Sequence, residues 1–154
     1  MGKYTCTVRA TTNSSANTED TAIDLDMPAG QACKIYRIRI VCQTAALDNQ
    51  FRAKIARKSA IGSGSTGGTE LKMDPLIAPA TAVATIKNGT TAYGAGTITE
   101  TLDDAIQFNS RGNWEWVARD EEDMYVSDSG GIIGVNIFNS AASIAFAVTI
   151  WWTE

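Results

Sequence analysis

Histidine is missing from all 154 residues. Its absence removes the usual general base near neutral pH, and with it every Ser-His-Asp or Cys-His arrangement. Three cysteines, Cys6, Cys33 and Cys42, are an odd number with no C-x-x-C pair. Without histidine they fall short of the four closely spaced Cys and His ligands that a zinc site typically uses. Cys33 and Cys42 fall in one predicted strand at opposite parity, so buried free thiols are the expectation. No apolar run approaches the roughly 20 residues that a membrane helix needs. Basic charge is also short: 13 Lys and Arg stand against 17 Asp and Glu, a net charge of -4. That balance offers no electrostatic footprint for nucleic acid or an anionic membrane. The first twenty residues hold no apolar signal core, so synthesis in a cytoplasm is expected.

What is present is a single folded domain, residues 1–154. The chain is 44% hydrophobic and 19% charged, within the ordinary range of globular proteins. Period-two alternation dominates. "KIYRIRIVC" places Tyr36, Ile38, Ile40 and Cys42 on one face and Arg37 and Arg39 on the other. "FRAKIARKS" sets Phe51, Ala53 and Ile55 against Arg52, Lys54 and Lys58. "SIAFAVTIWW" sets Ile144, Phe146, Val148, Ile150 and Trp152 against Ser143, Ala145, Ala147, Thr149 and Trp151. Each pattern is that of a half-buried strand. Shorter candidates are "YTCTV", "TAIDL", "TITETL", "WEWVA", "MYVS" and "IGVNIF".

Turn residues separate these runs at Pro28-Ala29-Gly30, Asp48-Asn49, Asn88-Gly89, Arg111-Gly112-Asn113 and Ser129-Gly130-Gly131. No amphipathic helix is legible; the stretch from Asp74 to Ala84 is broken by Pro75 and Pro79. The pattern predicts an all-β antiparallel sandwich, jelly-roll-like, of about eight strands. One long irregular excursion from Ile61 to Gly96 interrupts it.

Within that excursion, Gly62, Gly64 and Gly67 match G-x-G-x-x-G, the spacing of a dinucleotide-binding loop. Such a loop must open a helix whose first amides meet the phosphate. Here it leads into "TELKMDP", which proline stops at once, so a flexible or closely packed surface loop is expected. The carboxylates Glu100, Asp103, Asp104 and Glu115 could in principle supply an acid–base pair for glycoside hydrolysis. Solvation of strand ends and turns is their plainer use. "RDEED", Arg119 to Asp123, lacks the alternating ligands and central glycine of a calcium loop and reads as a solvated turn. No catalytic residue, metal or cofactor is expected.

The four tryptophans are the heaviest apolar groups. Trp114 and Trp116 share a face, either as core filling or as a stacking platform for a sugar. Trp151 and Trp152 have opposite parity, so one ring must leave the core. Beside it the outward residues Ala145 and Ala147 are small and uncharged, as at a subunit contact.

Three stretches, "FRAKIARKSAIGSGSTGGTELKMDP", "FNSRGNWEWVARDEE" and "AVTIWWTE", resemble the capsid cement (decoration) proteins of tailed bacteriophages, over most of the chain from about Lys34 onward. The resemblance implies a trimeric β-sandwich or jelly-roll subunit, bound outside the virion shell, that reinforces contacts between major capsid protein subunits. On that reading Ala145, Ala147, Trp151 and Trp152 are the expected homotrimer contact. Met1 to Arg9 and the loop Ile61 to Pro75 are the expected capsid contact, with Lys3, Tyr4, Ile61, Leu71 and Met73 as its candidates. The alternative is a module that recognises a host surface glycan through Trp114 and Trp116, at a tail-spike tip or in a head fibre.

Overall fold

A computed structural model describes residues 2–12, 18–43, 50–69, 71–73, 82–138 and 144–154. Among them there is no helix. The strands are β1 (Lys3–Thr11), β2 (Glu19–Asp26), β3 (Lys34–Cys42), β4 (Gln50–Ala60), β5 (Thr66–Gly67), β6 (Leu71–Lys72), β7 (Thr85–Gly94), β8 (Thr97–Asn109), β9 (Asn113–Val117), β10 (Tyr125–Val126), β11 (Ile132–Phe138) and β12 (Ala145–Thr153). They form two antiparallel sheets packed face to face, a β-sandwich. The first sheet runs β3–β12–β1, with β9 and β10 beyond β3 and β6 beyond β1. The second runs β5–β7–β2–β11–β4–β8. One parallel bridge, Thr11 to Thr91, joins them.

Alternation places the core. Tyr4, Cys6 and Val8 of β1, Ile38 and Ile40 of β3, and Phe146, Val148, Ile150 and Trp152 of β12 are buried on the inner face of the first sheet. Ile23 and Leu25, Ala53 and Ile55, and Ile133, Val135 and Ile137 meet them from the second. Removing this much apolar surface from water is the main force holding the layers together.

Four expectations need correction. Among the described residues twelve strands replace about eight: β5 and β6 are two-residue ladders too short to show a period, β7 was not among the candidates, and β10 is the expected "MYVS". The segment 61–96 is not an irregular excursion: it contains β5, β6 and the ten-residue β7. β7 was hidden because "TIKNGTTAYG" carries little apolar alternation, and its Asn88-Gly89 marks a break in strand register rather than a turn. Tyr36 leaves the buried face because the register jumps between Trp151–Arg37 and Trp152–Ile35, making Tyr36 the extra residue of a bulge. Ile35 is buried in its stead. Lys58, expected in water, is buried. Its parity holds, since it pairs with Ile132 on the outward face that carries Gly134 and Asn136, and it is buried there beside Asp24 and Thr21. Ser143, the Asp48-Asn49 turn and residues 74–81 lie outside the described residues, as does the side chain of Phe51.

Candidate functional site

Directly paired residues of neighbouring strands project to the same face of a sheet. In the first sheet Thr5 pairs with both Leu71 and Trp151, Trp151 pairs with Arg37, and Arg37 pairs with Val117. Leu71, Thr5, Trp151, Arg37 and Val117 therefore make one row across β6, β1, β12, β3 and β9 on the outward face. Four strand spacings of about 4.8 Å give it a length of roughly 19 Å. Leu71 is 64% exposed and Val117 54% exposed, two of the four large apolar side chains that stand out from the fold among the described residues. Trp151 is half-buried between them. The Arg37 guanidinium lies 4.5 Å from the centre of its ring. Arg37 donates to Glu115 Oε1 from Nε at 2.8 Å and from Nη2 at 2.6 Å, which fixes its fork over the ring.

The neighbouring rows set small residues among charged ones: Thr7, Thr149, Arg39 and Glu115 form one, and Arg9, Ala147, Val41 and Asn113 the next. Thr7 and Thr149 share a 2.9 Å hydroxyl contact, and Ala147 pairs with Arg9 and Val41. Ala145 is half-buried and Ala147 is 8% exposed, so both are small floor residues of this face. Met73 (49% exposed) lies past the same end of the row. Its backbone N–H donates to Lys3 O at 3.0 Å, and Tyr36 OH donates to its Sδ at 3.2 Å. The pairing of β6 with β1 thus gathers Lys3, Leu71 and Met73, although nearly seventy residues separate them in the chain.

The remaining candidates fall elsewhere. Trp152 is fully buried, stacks on Tyr4 with ring centres 5.7 Å apart, and donates from Nε1 to Glu154 Oε1 at 2.9 Å. Tyr4 is 1% exposed, because β1 turns residues 4, 6 and 8 inward. Neither ring can meet a partner. Ile61 is half-buried directly after β4 of the second sheet, whereas Leu71 lies in β6 of the first. Trp114 and Trp116 pair with Ile40 and Ile38, which turns both rings toward the core. The Trp116 ring centre is 4.4 Å from that of Tyr125, so the two rings are packing groups and not an outward platform.

The glycine loop serves the backbone. A Cβ on Gly62 would lie 1.6 Å from Gly94 O, and Gly64 has φ +92°. Close strand approach and a left-handed turn account for both. Three of the four candidate carboxylates are already engaged, and Asp104 is exposed. Glu100 pairs with Arg57, Asp103 accepts from Tyr125 OH and from Ala105 N–H, and Glu115 holds Arg37 on another sheet. In "RDEED", Asp120 Oδ1 accepts the amides of Glu122 and Asp123 at 3.0 and 3.2 Å, the bonding of a tight turn. A recess of about 170 Å³ is lined by Gln50, Gln107, Phe108 and Asn109. It is smaller than the several hundred Å³ typical of small-molecule pockets.

Sequence reasoning missed a second cluster, on the far face of the second sheet. Lys58 Nζ lies 2.8 Å from Asp24 Oδ1, with both side chains fully buried, and donates to Thr21 Oγ1 at 2.6 Å. Tyr93 OH donates to Asp24 Oδ2 at 3.0 Å and to Lys87 O at 3.1 Å. Thr21 Oγ1 reaches Asn136 Oδ1 at 3.2 Å. Asn136 Nδ2 donates to Glu19 Oε1 at 2.6 Å, and Glu19 pairs with Lys54. Burial pushes the Asp24 carboxyl above its ordinary range against the pull of Lys58, and burial lowers the Lys58 ammonium against the pull of Asp24. Tyr93 is raised by burial and by the neighbouring Asp24 charge. The sequence signal was Gly134, a glycine inside "IGVNIF", which marks close approach by another group.

Compared with protein-family models, curated proteins and solved structures, the chain matches none.

Proposed function

We propose that this chain is a structural virion protein, a cement subunit that binds the outer surface of a tailed-phage capsid as a homotrimer and reinforces contacts between major capsid protein subunits. The observation that carries the reading is the outward row Leu71–Thr5–Trp151–Arg37–Val117. A sheet face with a central aromatic, small Thr and Ala neighbours and an arginine held over the ring by Glu115 suits burial against another protein surface. Trp151, Ala145 and Ala147 form the contact between copies. Lys3, Leu71 and Met73, at the adjoining edge, meet the shell. Three linked copies then bring three such edges to neighbouring capsid subunits, and avidity replaces strong single contacts. In this role the protein is made in the bacterial host cytoplasm, resides on the head exterior and turns over no substrate. Its partners are two further copies of itself and the major capsid protein, with no nucleic acid, membrane or cofactor required. Recognition of a host glycan by Trp114 and Trp116 has no comparable support, since both rings are used in packing.

Two measurements test the reading. Native mass spectrometry of the purified protein should give a trimer, and Trp151→Glu should give a folded monomer; a monomeric wild type would defeat the trimer. Cosedimentation with heads lacking this protein should deplete it from the supernatant, and Leu71→Asp with Met73→Asp should abolish that depletion. Wild-type protein left wholly in the supernatant would defeat the capsid role.

A further inference from the structure

β2 and β4 do not pair with each other; β11 lies between them. Asp24 of β2 stands opposite Gly134 of β11, and Lys58 of β4 stands opposite Ile132. To meet, the two side chains must cross β11, and they do so at the one position without a side chain. A Cβ on Gly134 would lie 1.8 Å from Asp24 Oδ1. We propose that Lys58 and Asp24 condense into an intramolecular isopeptide bond, an amide from Nζ to Cγ that ties β4 to β2 over the backbone of Gly134.

The requirements of that reaction are an uncharged amine, an acyl carbon within reach, a donor for the developing oxyanion and exclusion of bulk water. Nζ is 2.8 Å from Oδ1, and neither side chain is exposed. Among the described residues, nothing but Lys58 Nζ approaches Oδ1 as a hydrogen-bond donor. Burial works on both partners toward their neutral forms, the amine and the carboxylic acid. The Tyr93 hydroxyl points at Oδ2 from 3.0 Å.

The step balances within the pair. One proton passes from the Lys58 ammonium to Asp24 Oδ1, leaving a neutral amine and acid. The nitrogen lone pair attacks Cγ, and the C=O electrons move to Oδ2, where Tyr93 OH stabilises the negative charge while keeping its own proton. A second proton leaves Nζ for Oδ1, the Cγ–Oδ1 bond breaks, and Oδ1 departs as water. Oδ2 becomes the amide carbonyl. No oxidant, metal or activated donor enters. Condensation in bulk water is unfavourable at ordinary concentrations, but well-oriented intramolecular groups reach effective molarities of about 10⁵ M or more.

Protease digestion of the denatured full-length protein, read by mass spectrometry, tests the proposal. A joined species should appear, equal to the Lys58 peptide plus the Asp24 peptide less one water, and it should vanish in Lys58→Arg. Recovery of both peptides separately at full mass from aged wild-type protein would overturn the bond. That readout stands even where Lys58→Arg does not fold. In Tyr93→Phe the joined species should accumulate about 100-fold more slowly, the usual effect of losing one oxyanion donor. An unchanged rate would remove Tyr93 from the mechanism. Failure to form a trimer or bind heads leaves this result untouched, so the two proposals fail separately.

Discussion

Gly134 and Asp24 face each other on paired strands, and the Asp24 carboxyl occupies the volume that any side chain at position 134 would need. Gly134→Ala should therefore expel the carboxyl from Lys58 and leave a buried ammonium without its partner. Overpacking and separation of Lys58 from Asp24 together should cost about 3 kcal/mol. Urea unfolding of the two proteins checks this, and an unchanged midpoint would show that the cluster tolerates rearrangement.

The two C-terminal tryptophans should respond in opposite ways. Trp152→Ala removes a fully buried ring stacked on Tyr4 and should cost about 4 kcal/mol of fold stability. Trp151→Ala removes a half-buried ring on the outward face and should cost about 1 kcal/mol in the isolated subunit. Its larger effect should appear in the oligomeric state. Equal losses of stability would contradict the assignment of faces.

The thiols should differ in access. Cys6 and Cys33 are buried and Cys42 is half-buried, and none is in a disulfide. A thiol reagent added to the folded protein should modify Cys42 alone, with Cys6 and Cys33 reacting only in denaturant. Burial raises the Cys42 thiol as well, so its reaction should be slower than that of a free peptide thiol.

Cys33 also sets an alkaline limit. Burial pushes its thiol from 9.0 up to about 12 in the folded state. Between those values the folded chain keeps a proton that the unfolded chain has released. The contribution is thus intact below pH 9 and is lost as pH rises toward 12, at about 1.4 kcal/mol per unit. Denaturant midpoints measured from pH 8 to 10 should fall, and Cys33→Ala should flatten the decline. Parallel slopes for the two proteins would remove Cys33 as the cause.

Much of the sandwich was legible because apolar residues alternate cleanly in β1, β3 and β12, and parity alone separated Trp152 from Trp151. Parity failed where backbone geometry intervened. A bulge turned Tyr36 out and Ile35 in; Lys58 kept its outward parity but is buried there beside Asp24. β7 escaped notice because Thr, Asn and Gly announce turns more strongly than strands. At the candidate site, Lys3, Leu71, Met73 and Trp151 were identifiable as exposed or outward groups. That β6 pairs with β1, and so sets them along one face, is a long-range contact that no local pattern encodes. The same limit hid the Asp24–Lys58 pair, since each residue alone looks like ordinary surface charge.

The irregular ladder between β4 and β8 has a bearing on life at high density. β8 closes one flank of its sheet, with four breaks in register against β4 and carboxylates at Glu100, Asp103 and Asp104 along its length. A crooked, acidic border is a poor template for another chain's strand. On the cement reading proposed above, copies packed side by side would touch at this flank without extending one another's sheets.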